Sequence, residues 1–184
     1  MLILGLVGLK GSGKGTVASI LADRHGGKAY RFSTVLRDIL ERLDLSQSRE
    51  HLIHLSETLR REFGENILER ALAKDIRLGG ADIVILDGIR RVEELAALRS
   101  LGNFHLIAIQ APFEIRYQRS ANRGENAGEN GMTEEAFRRT ENASTEITIA
   151  DVEKQAERII QNTGTYEELV QKVNDLITEL RRQP

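Results

Sequence analysis

A glycine-rich stretch near the start of the chain, GLKGSGKGT at residues 8–16, carries the first residues that point to chemistry. Four glycines surround Lys14, and the apolar run LILGLV comes directly before them. Glycines allow successive backbone N–H groups to turn toward one anion, and a following helix adds the partial positive charge of its N-terminus. Lys14 adds a cation that reaches the β- and γ-phosphates of a nucleotide. The stretch therefore predicts a phosphate-binding loop between a buried strand and a helix.

The candidate ATP-binding residues of this loop are Gly8, Lys10, Gly11, Ser12, Gly13, Lys14, Gly15 and Thr16. Gly15 occupies the position where most such loops have a metal-binding hydroxyl. Without that hydroxyl, Mg²⁺ has to be held largely by phosphate oxygens and water, and Thr16 is a further candidate ligand.

A second motif, IVILDGIRR at residues 83–91, places Asp87 at the end of another apolar run. A carboxylate there can orient water on Mg²⁺ beside bound phosphates, which makes Asp87 a candidate metal-site and catalytic residue. Gly88 allows a ligand to approach the backbone, and Arg90 offers a planar guanidinium group to a phosphate. The motif predicts the second half of a phosphate site.

Arginines are concentrated in the polar segment that follows a further apolar run, FHLIAIQ. They are Arg116, Arg119, Arg123, Arg138 and Arg139. Phosphoryl transfer requires positive charge around the transferring group and the exclusion of water. The stretch at 123–139 is polar, contains glycine and is too long for an ordinary loop. We therefore expect a mobile, arginine-bearing lid at about 119–146, the alternative being a solvated loop with scattered charges.

The elements that must position these residues alternate between strands and helices. Apolar runs predict strands at 2–7, 29–32, 83–87, 104–110 and 157–162. Apolar spacings of three and four residues predict helices at 14–24, 33–43, 48–62, 66–78, 92–100, 113–121 and 165–180. Ser33 is the expected cap of the second helix, and Thr165 with Glu168 forms a capping box for the last. This alternation predicts an α/β protein, a three-layer, doubly wound, five-stranded parallel sheet with helices on both faces.

In such a sheet ligands bind beyond the carboxyl ends of the strands, where all of the motifs above lie. The length of 184 residues suits a single domain, 1–184. We divide it into a core (1–32, 83–118 and 150–184), an intervening region (about 33–80) and the lid.

The composition limits the partners and the compartment. Lysine and arginine number 26 against 28 aspartates and glutamates, a net charge of −2, which gives no electrostatic reason to expect nucleic acid or an anionic membrane as a partner. The chain has no cysteine, which excludes a disulfide framework and a thiolate metal site. We expect a cytoplasmic monomer or homodimer without a signal peptide or a membrane span.

The sequence GKGT in the phosphate loop resembles that of adenylate kinase and other nucleoside monophosphate kinases, a group of P-loop kinases. LDGIRR is similar to LDGFPR of adenylate kinases but offset by one residue, which leaves Arg90 and Arg91 both open. We favour Arg90, because LDGIR followed by the acidic stretch VEEL looks closer to deoxynucleoside monophosphate kinase relatives, including uncharacterised P-loop kinases. The resemblance implies ATP as phosphoryl donor, Mg²⁺, and a small-molecule nucleotide as acceptor.

The resemblance also implies that the region at about 33–80 binds the acceptor. YRFSTVLRDIL at 30–40 is similar to the acceptor segment of that group, which implies that Ser33, Thr34 and Arg37 face the acceptor. LRREFGENILERAL at 59–72 is similar to the acceptor-side helix, with Arg60 preferred over Arg61.

The lid follows the same resemblance, since R-x-x-x-R at Arg119 and Arg123 matches its entry in the kinases. Arg119 would pack on adenine and reach a phosphate, and Arg123 would contact the transferring group. Arg138, preferred over Arg139, would act from the far side. In QNTG at 161–164, the resemblance implies that Asn162 and Gly164 line the adenine.

Two other functions stay open. One is phosphorylation of another small molecule, as in dephospho-coenzyme A kinase, whose hydroxyl acceptor calls for a catalytic base; the equivalent region here offers Ser33 and Thr34. The other is an ATP-binding switch that hydrolyses ATP slowly or not at all.

Overall fold

The structure is a computed structural model that describes residues 1–123, 133–141 and 144–182. Its strands are β1 (Leu2–Val7), β2 (Lys28–Arg31), β3 (Ile83–Asp87), β4 (Phe104–Gln110) and β5 (Arg158–Gln161). All four strand pairings are parallel, and the order across the sheet is β2-β3-β1-β4-β5. The predicted five-stranded parallel sheet is confirmed.

Helices cover both faces of this sheet. They are α1 (Lys14–His25), α2 (Phe32–Arg42), α3 (Arg49–Phe63), α4 (Ile67–Gly79), α5 (Val92–Arg99), α6 (Phe113–Arg123), α7 (Glu134–Glu141), α8 (Ser144–Glu153) and α9 (Tyr166–Arg182). Side chains of α1 and α9 pack against one face, and those of α2, α4, α5 and α8 pack against the other. The three-layer arrangement is therefore confirmed as well, because neither face of the central strands is left to solvent.

The strand order explains why ligands would gather at one edge. The chain leaves β1 toward β2 and leaves β4 toward β5, on opposite sides, so that the carboxyl ends of β1 and β4 flank a topological switch point. The register pairs Leu6 of β1 and Arg31 of β2 with Asp87 at the end of β3. The phosphate loop and the DGIR motif consequently start side by side.

One prediction about the helices is wrong. Ser33 does not cap α2: the helix begins at Phe32, with Arg31 as its extended N-cap residue, because Phe32 turns into the core. Two helices that were not predicted from the sequence, α7 and α8, occupy Glu134–Glu141 and Ser144–Glu153. By contrast, the capping box of α9 is confirmed, with Thr165 N–H donating to Glu168 Oε2 at 3.1 Å and Glu168 N–H donating to Thr165 Oγ1 at 3.3 Å.

The predicted lid falls partly outside the described residues, which omit 124–132 and 142–143. Its two ends are described, as the last turns of α6 and as α7 and α8, and whether the segment moves stays a prediction. Within the described ranges, no helix is long and apolar enough to cross a membrane.

The core contact of α4 predicts a large difference between two neighbouring positions. Ile76 is fully buried, whereas Leu78, half a turn further on, is 77% exposed. We expect Ile76→Ala to lower the free energy of unfolding by about 2–5 kcal/mol, because it leaves a cavity between α4 and the sheet. Leu78→Ala should stay within about 0.5 kcal/mol of the wild type. Denaturant unfolding measures both, and equal losses would contradict the packing described.

Candidate active site

The backbone of the phosphate loop requires glycine at two positions. Gly11 and Gly13 have φ angles of +79° and +96°, in the left-handed region. A Cβ at Gly11 would lie 2.4 Å from the Arg116 carbonyl oxygen, and one at Gly13 would lie 2.1 Å from Asn162 Nδ2. The loop is therefore a cradle whose outer wall is in close contact with the elements that follow β4 and β5.

Side chains from α6 and from the end of β5 hold the loop by donating hydrogen bonds to its carbonyl oxygens. Asn162, buried at the end of β5, donates its amide to the Ser12 carbonyl at 2.8 Å. Arg119 donates to the Asn162 carbonyl at 3.1 Å and to its Oδ1 at 3.4 Å. Arg116 donates to the Lys10 carbonyl at 3.3 Å. These three side chains act as a brace that reaches the loop from the end of β5 and from α6.

Within the described residues, the Ser12 hydroxyl is buried and has no hydrogen-bond partner. A buried polar group normally finds a partner, so an orphaned hydroxyl inside a glycine cradle fits a ligand oxygen. Together with the helix N-terminus at Lys14, this makes the loop suitable for the phosphates of ATP.

Lys14 and Asp87 meet at the centre of the site. Lys14 Nζ lies 2.7 Å from Asp87 Oδ1, and Arg31 lies 3.0 Å from Asp87 Oδ2. Burial by itself raises the pKa of the Asp87 carboxyl, but the charges and hydrogen bonds of Lys14 and then of Arg31 outweigh it and hold the pKa below its usual range. Asp87 is consequently ionised at neutral pH. Its oxygens, like the Thr16 hydroxyl, are of the kind that suits Mg²⁺.

Sequence reasoning missed Arg31, which stands next to Asp87 across the β2–β3 pairing. The signal was present in the sequence only as a cation at the end of a short strand. Its partner becomes visible once the strand order puts β2 beside β3.

On the acceptor side, Gly88 has a φ angle of +91°, and the side chain of Arg90 is exposed. Arg37 donates to Gln47 at 3.1 Å on the surface, and Ser33 and Thr34 lie in the first turn of α2. Gly88 and Arg90 follow β3 and α2 follows β2, so these groups belong to segments that leave two neighbouring strands.

The side chain of Arg60 is buried and contacts other residues of the protein. Its guanidinium group is 3.1 Å from Glu69 and 3.5 Å from Glu94, and it also donates to the Glu65 carbonyl. Direct contact between Arg60 and an acceptor stays a prediction, and it would require one of these contacts to open.

In the lid region, α7 packs on α6 through aromatic rings. Phe137 is fully buried against Phe113 and Tyr117. Arg138 lies over the Phe113 ring at 3.8 Å and pairs with Glu134 at 2.8 Å, so the structure does not bring it to the phosphate loop. Arg123 is the last residue of α6, and its side chain lies outside the described residues. Gly164 follows β5 close to Glu168.

The chain is similar to known proteins over most of its length. A family model described as an AAA domain matches residues 4–148. A UPF0200 protein of Pyrobaculum aerophilum is 34% identical, with 97% of this chain and 98% of the relative covered. The chain belongs to the UPF0200 family. Another UPF0200 protein, from Sulfurisphaera tokodaii, is 28% identical over 97% of both chains.

Solved structures are also similar to this UPF0200 chain, and kinases are among them. TT1252 from Thermus thermophilus matches with a TM-score of 0.65 and 22% identity over 97% of both chains. The shikimate kinase of Bacteroides thetaiotaomicron matches with a TM-score of 0.60 and 14% identity, covering 96% of this chain and 98% of that one. At this identity the likeness concerns the fold, and the fold is that of the P-loop kinases, as the resemblance implied.

The close approach of Asn162 predicts that Gly13 and Gly26 respond differently to the same substitution. Both have a positive φ angle, but a Cβ at Gly26 would meet nothing within 4 Å. We expect Gly26→Ala to cost about 1 kcal/mol of stability for its backbone conformation alone. Gly13→Ala should cost more and should also abolish Mg-ATP binding, because it displaces Asn162 from the loop. Denaturant unfolding and calorimetric titration measure the two effects; equal behaviour of the variants would contradict the brace.

The pairing of Asp87 predicts a pH-dependent contribution to stability. A carboxyl whose pKa is lowered by folding stabilises the folded state above its unfolded pKa, of about 4, and loses that contribution as the pH falls through the folded value. The stability advantage of the wild type over Asp87→Asn should therefore be constant near neutral pH and shrink below about pH 4. Unfolding curves across pH measure it, with exposed Asp75→Asn as the control. An advantage that persists unchanged into strong acid would be inconsistent with the ion pairs.

Proposed function

We propose that this UPF0200 protein catalyses ATP-dependent phosphoryl transfer to a nucleoside or deoxynucleoside monophosphate, giving the diphosphate and ADP. The observation that carries the proposal is the 2.7 Å pairing of Lys14 with Asp87 beneath the glycine cradle. It joins a phosphate-binding cation to a carboxylate that suits hydrated Mg²⁺, which are the two groups that a P-loop kinase needs beside the β- and γ-phosphates.

On the donor side, ATP would bind with its phosphates in the loop and its adenine near the end of β5. The proposed ligands are Gly8, Lys10, Gly11, Ser12, Gly13, Lys14, Gly15, Thr16, Arg119, Asn162 and Gly164. Mg²⁺, when bound, neutralises charge on the phosphate oxygens; Asp87 would hold its water, with Thr16 as a further ligand.

For the acceptor we propose Ser33, Thr34, Arg37, Arg60, Gly88 and Arg90, with the buried contacts of Arg60 favouring an indirect role. The transfer itself is a direct displacement. An oxygen of the acceptor phosphate forms a bond to the γ-phosphorus while the bond from that phosphorus to the β–γ bridging oxygen breaks, and ADP leaves with the bond's electron pair. Lys14, Arg119, Arg123 and Arg138 would neutralise the charge that develops, the last two after the lid has closed.

The state of Asp87 favours a phosphate over a hydroxyl as the attacking group. A hydroxyl acceptor needs a general base, whereas an acceptor phosphate is already ionised and needs only alignment. Asp87 forms ion pairs with Lys14 and Arg31, which lower the pKa of its carboxyl and make it a weak base. We accordingly prefer the monophosphate, and we assign the reaction to the cytoplasm, in agreement with a chain that has no cysteine.

The test is a turnover assay with Mg-ATP and a panel of ribo- and deoxyribonucleoside monophosphates, to which dephospho-coenzyme A and shikimate are added. ADP and phosphorylated product are followed together. One monophosphate should drive ADP formation, and Lys14→Met should lower kcat/KM by at least about 100-fold, because the transition state loses the cation nearest the phosphate loop. Lys74→Met, on an exposed part of α4, is the matched control and should retain activity.

Two results would overturn this proposal. ADP formation at the same rate without any acceptor would indicate an ATPase or a switch. Turnover with dephospho-coenzyme A or shikimate alone would indicate a hydroxyl-directed kinase on the same fold.

A further inference from the structure

Three charged side chains from three helices meet in the interior behind the DGIR motif. They are Arg60 of α3, Glu69 of α4 and Glu94 of α5, and their side chains are only 11%, 3% and 7% exposed. We call this group the acceptor-side cluster. Arg60 lies between the two carboxylates, at 3.1 Å from Glu69 Oε1 and 3.5 Å from Glu94 Oε1.

The charges of the acceptor-side cluster do not balance. Two carboxylates share one guanidinium group, and Glu69 Oε2 is buried without a hydrogen-bond partner in the described part of the chain. Burial raises the pKa of Glu94 above its usual range; two backbone N–H groups lower it, Glu69 raises it further, and Arg60 partly offsets the rise. Packed apolar residues would generally be as stable as such a group or more stable. The ion pairs are therefore weak evidence of a stabilising role, although Glu94 also completes the capping box at the N-terminus of α5.

Glu94 performs a definite local task, because its Oε2 atom accepts two backbone hydrogen bonds from the loop that follows β3. The donors are the N–H groups of Arg90, at 3.0 Å, and of Arg91, at 3.3 Å. On the other side of the same loop, Ile89 is buried in the core. The backbone that carries Arg90 is thus fixed between the core and one carboxylate oxygen, although the Arg90 side chain itself is exposed.

The other carboxylate oxygen connects this loop to the acceptor-binding region. Glu94 Oε1 faces Arg60, which is held in turn by Glu69 and by the Glu65 carbonyl between α3 and α4. Any displacement of α3 or α4 would therefore also move the backbone of Arg90.

We propose that Glu94 is the positioning residue that sets affinity for the acceptor phosphate, by fixing the loop of Gly88–Arg91 against α3 and α4 through the acceptor-side cluster. This inference rests on the proposed function, in which Arg90 binds that phosphate. Glu94 acts through the backbone of Arg90 and does not touch the acceptor.

Two conservative variants separate the effect of the side-chain length of Glu94 from the effect of its charge. Glu94→Gln retains a carbonyl oxygen at the same distance, able to accept both N–H donors, and loses the charge. Glu94→Asp retains the charge and withdraws the oxygen by about one carbon–carbon bond, ~1.5 Å. Glu93→Ala, at a neighbouring side chain that is 75% exposed, is the control.

The expected result is an acceptor KM about 10-fold to 100-fold higher in Glu94→Asp, since a misplacement of about 1 Å is costly at a reacting centre. The KM for ATP should stay within about 2-fold, because the donor loop is held by β5 and α6. Glu94→Gln keeps both N–H contacts but turns its NH2 group toward Arg60, so it should show a smaller rise than Glu94→Asp, and Glu93→Ala should stay close to the wild type. A larger defect in Glu94→Gln than in Glu94→Asp, or an equal rise in both KM values, would overturn the positioning role.

Hydrogen exchange keeps this test distinct from that of the proposed function. The amides of Arg90 and Arg91 should exchange faster in Glu94→Asp than in the wild type and Glu94→Gln, while those of the phosphate loop remain unchanged. Unchanged exchange at these two amides would overturn the inference even if a monophosphate is phosphorylated. A panel without any active monophosphate would instead overturn the proposed function.

Discussion

The contact between Lys14 and Asp87 is the constraint on which the rest of the site depends. It joins the phosphate loop after β1 to the DGIR motif after β3, two segments separated by 73 residues in sequence. Because β1 and β3 pair in parallel with Leu6 opposite Asp87, the two side chains start from the same edge of the sheet. The phosphates of ATP would compete with Asp87 for Lys14, so the site that receives them already contains the cation that they require.

The phosphate loop is held from its outer side by groups that bind carbonyl oxygens. Asn162 donates a hydrogen bond to the Ser12 carbonyl, and Arg116 donates one to the Lys10 carbonyl. Two carbonyl oxygens of the loop therefore have their partners on the side away from the cradle. Arg116 also forms an ion pair with Glu141 of α7, which links the position of that helix to the loop. The donor site thus depends on β5, α6 and α7 as much as on its own glycines.

The sequence predicted those parts of the fold whose pattern is local. Strands β1, β3 and β4 are buried on both faces, so their apolar runs marked their bounds. Helix α7 escaped prediction because a single apolar ring, Phe137, anchors eight otherwise mostly polar residues, and that leaves no periodicity to detect. The partners of Arg31 and Arg60 were equally hidden, since they depend on which strands and helices become neighbours.

The two halves of the site distribute charge in opposite ways. On the donor side, one carboxylate, Asp87, faces the two cations Lys14 and Arg31, and the surplus positive charge suits a triphosphate. In the acceptor-side cluster, two carboxylates face one cation, a surplus of negative charge that would repel a phosphate if it were exposed. It is buried behind the loop, however, and that loop carries the exposed arginines Arg90 and Arg91, the second of which faces Glu65 and Glu93. An acceptor would therefore meet the positive charge of Arg90, whose backbone is fixed by the buried carboxylate of Glu94.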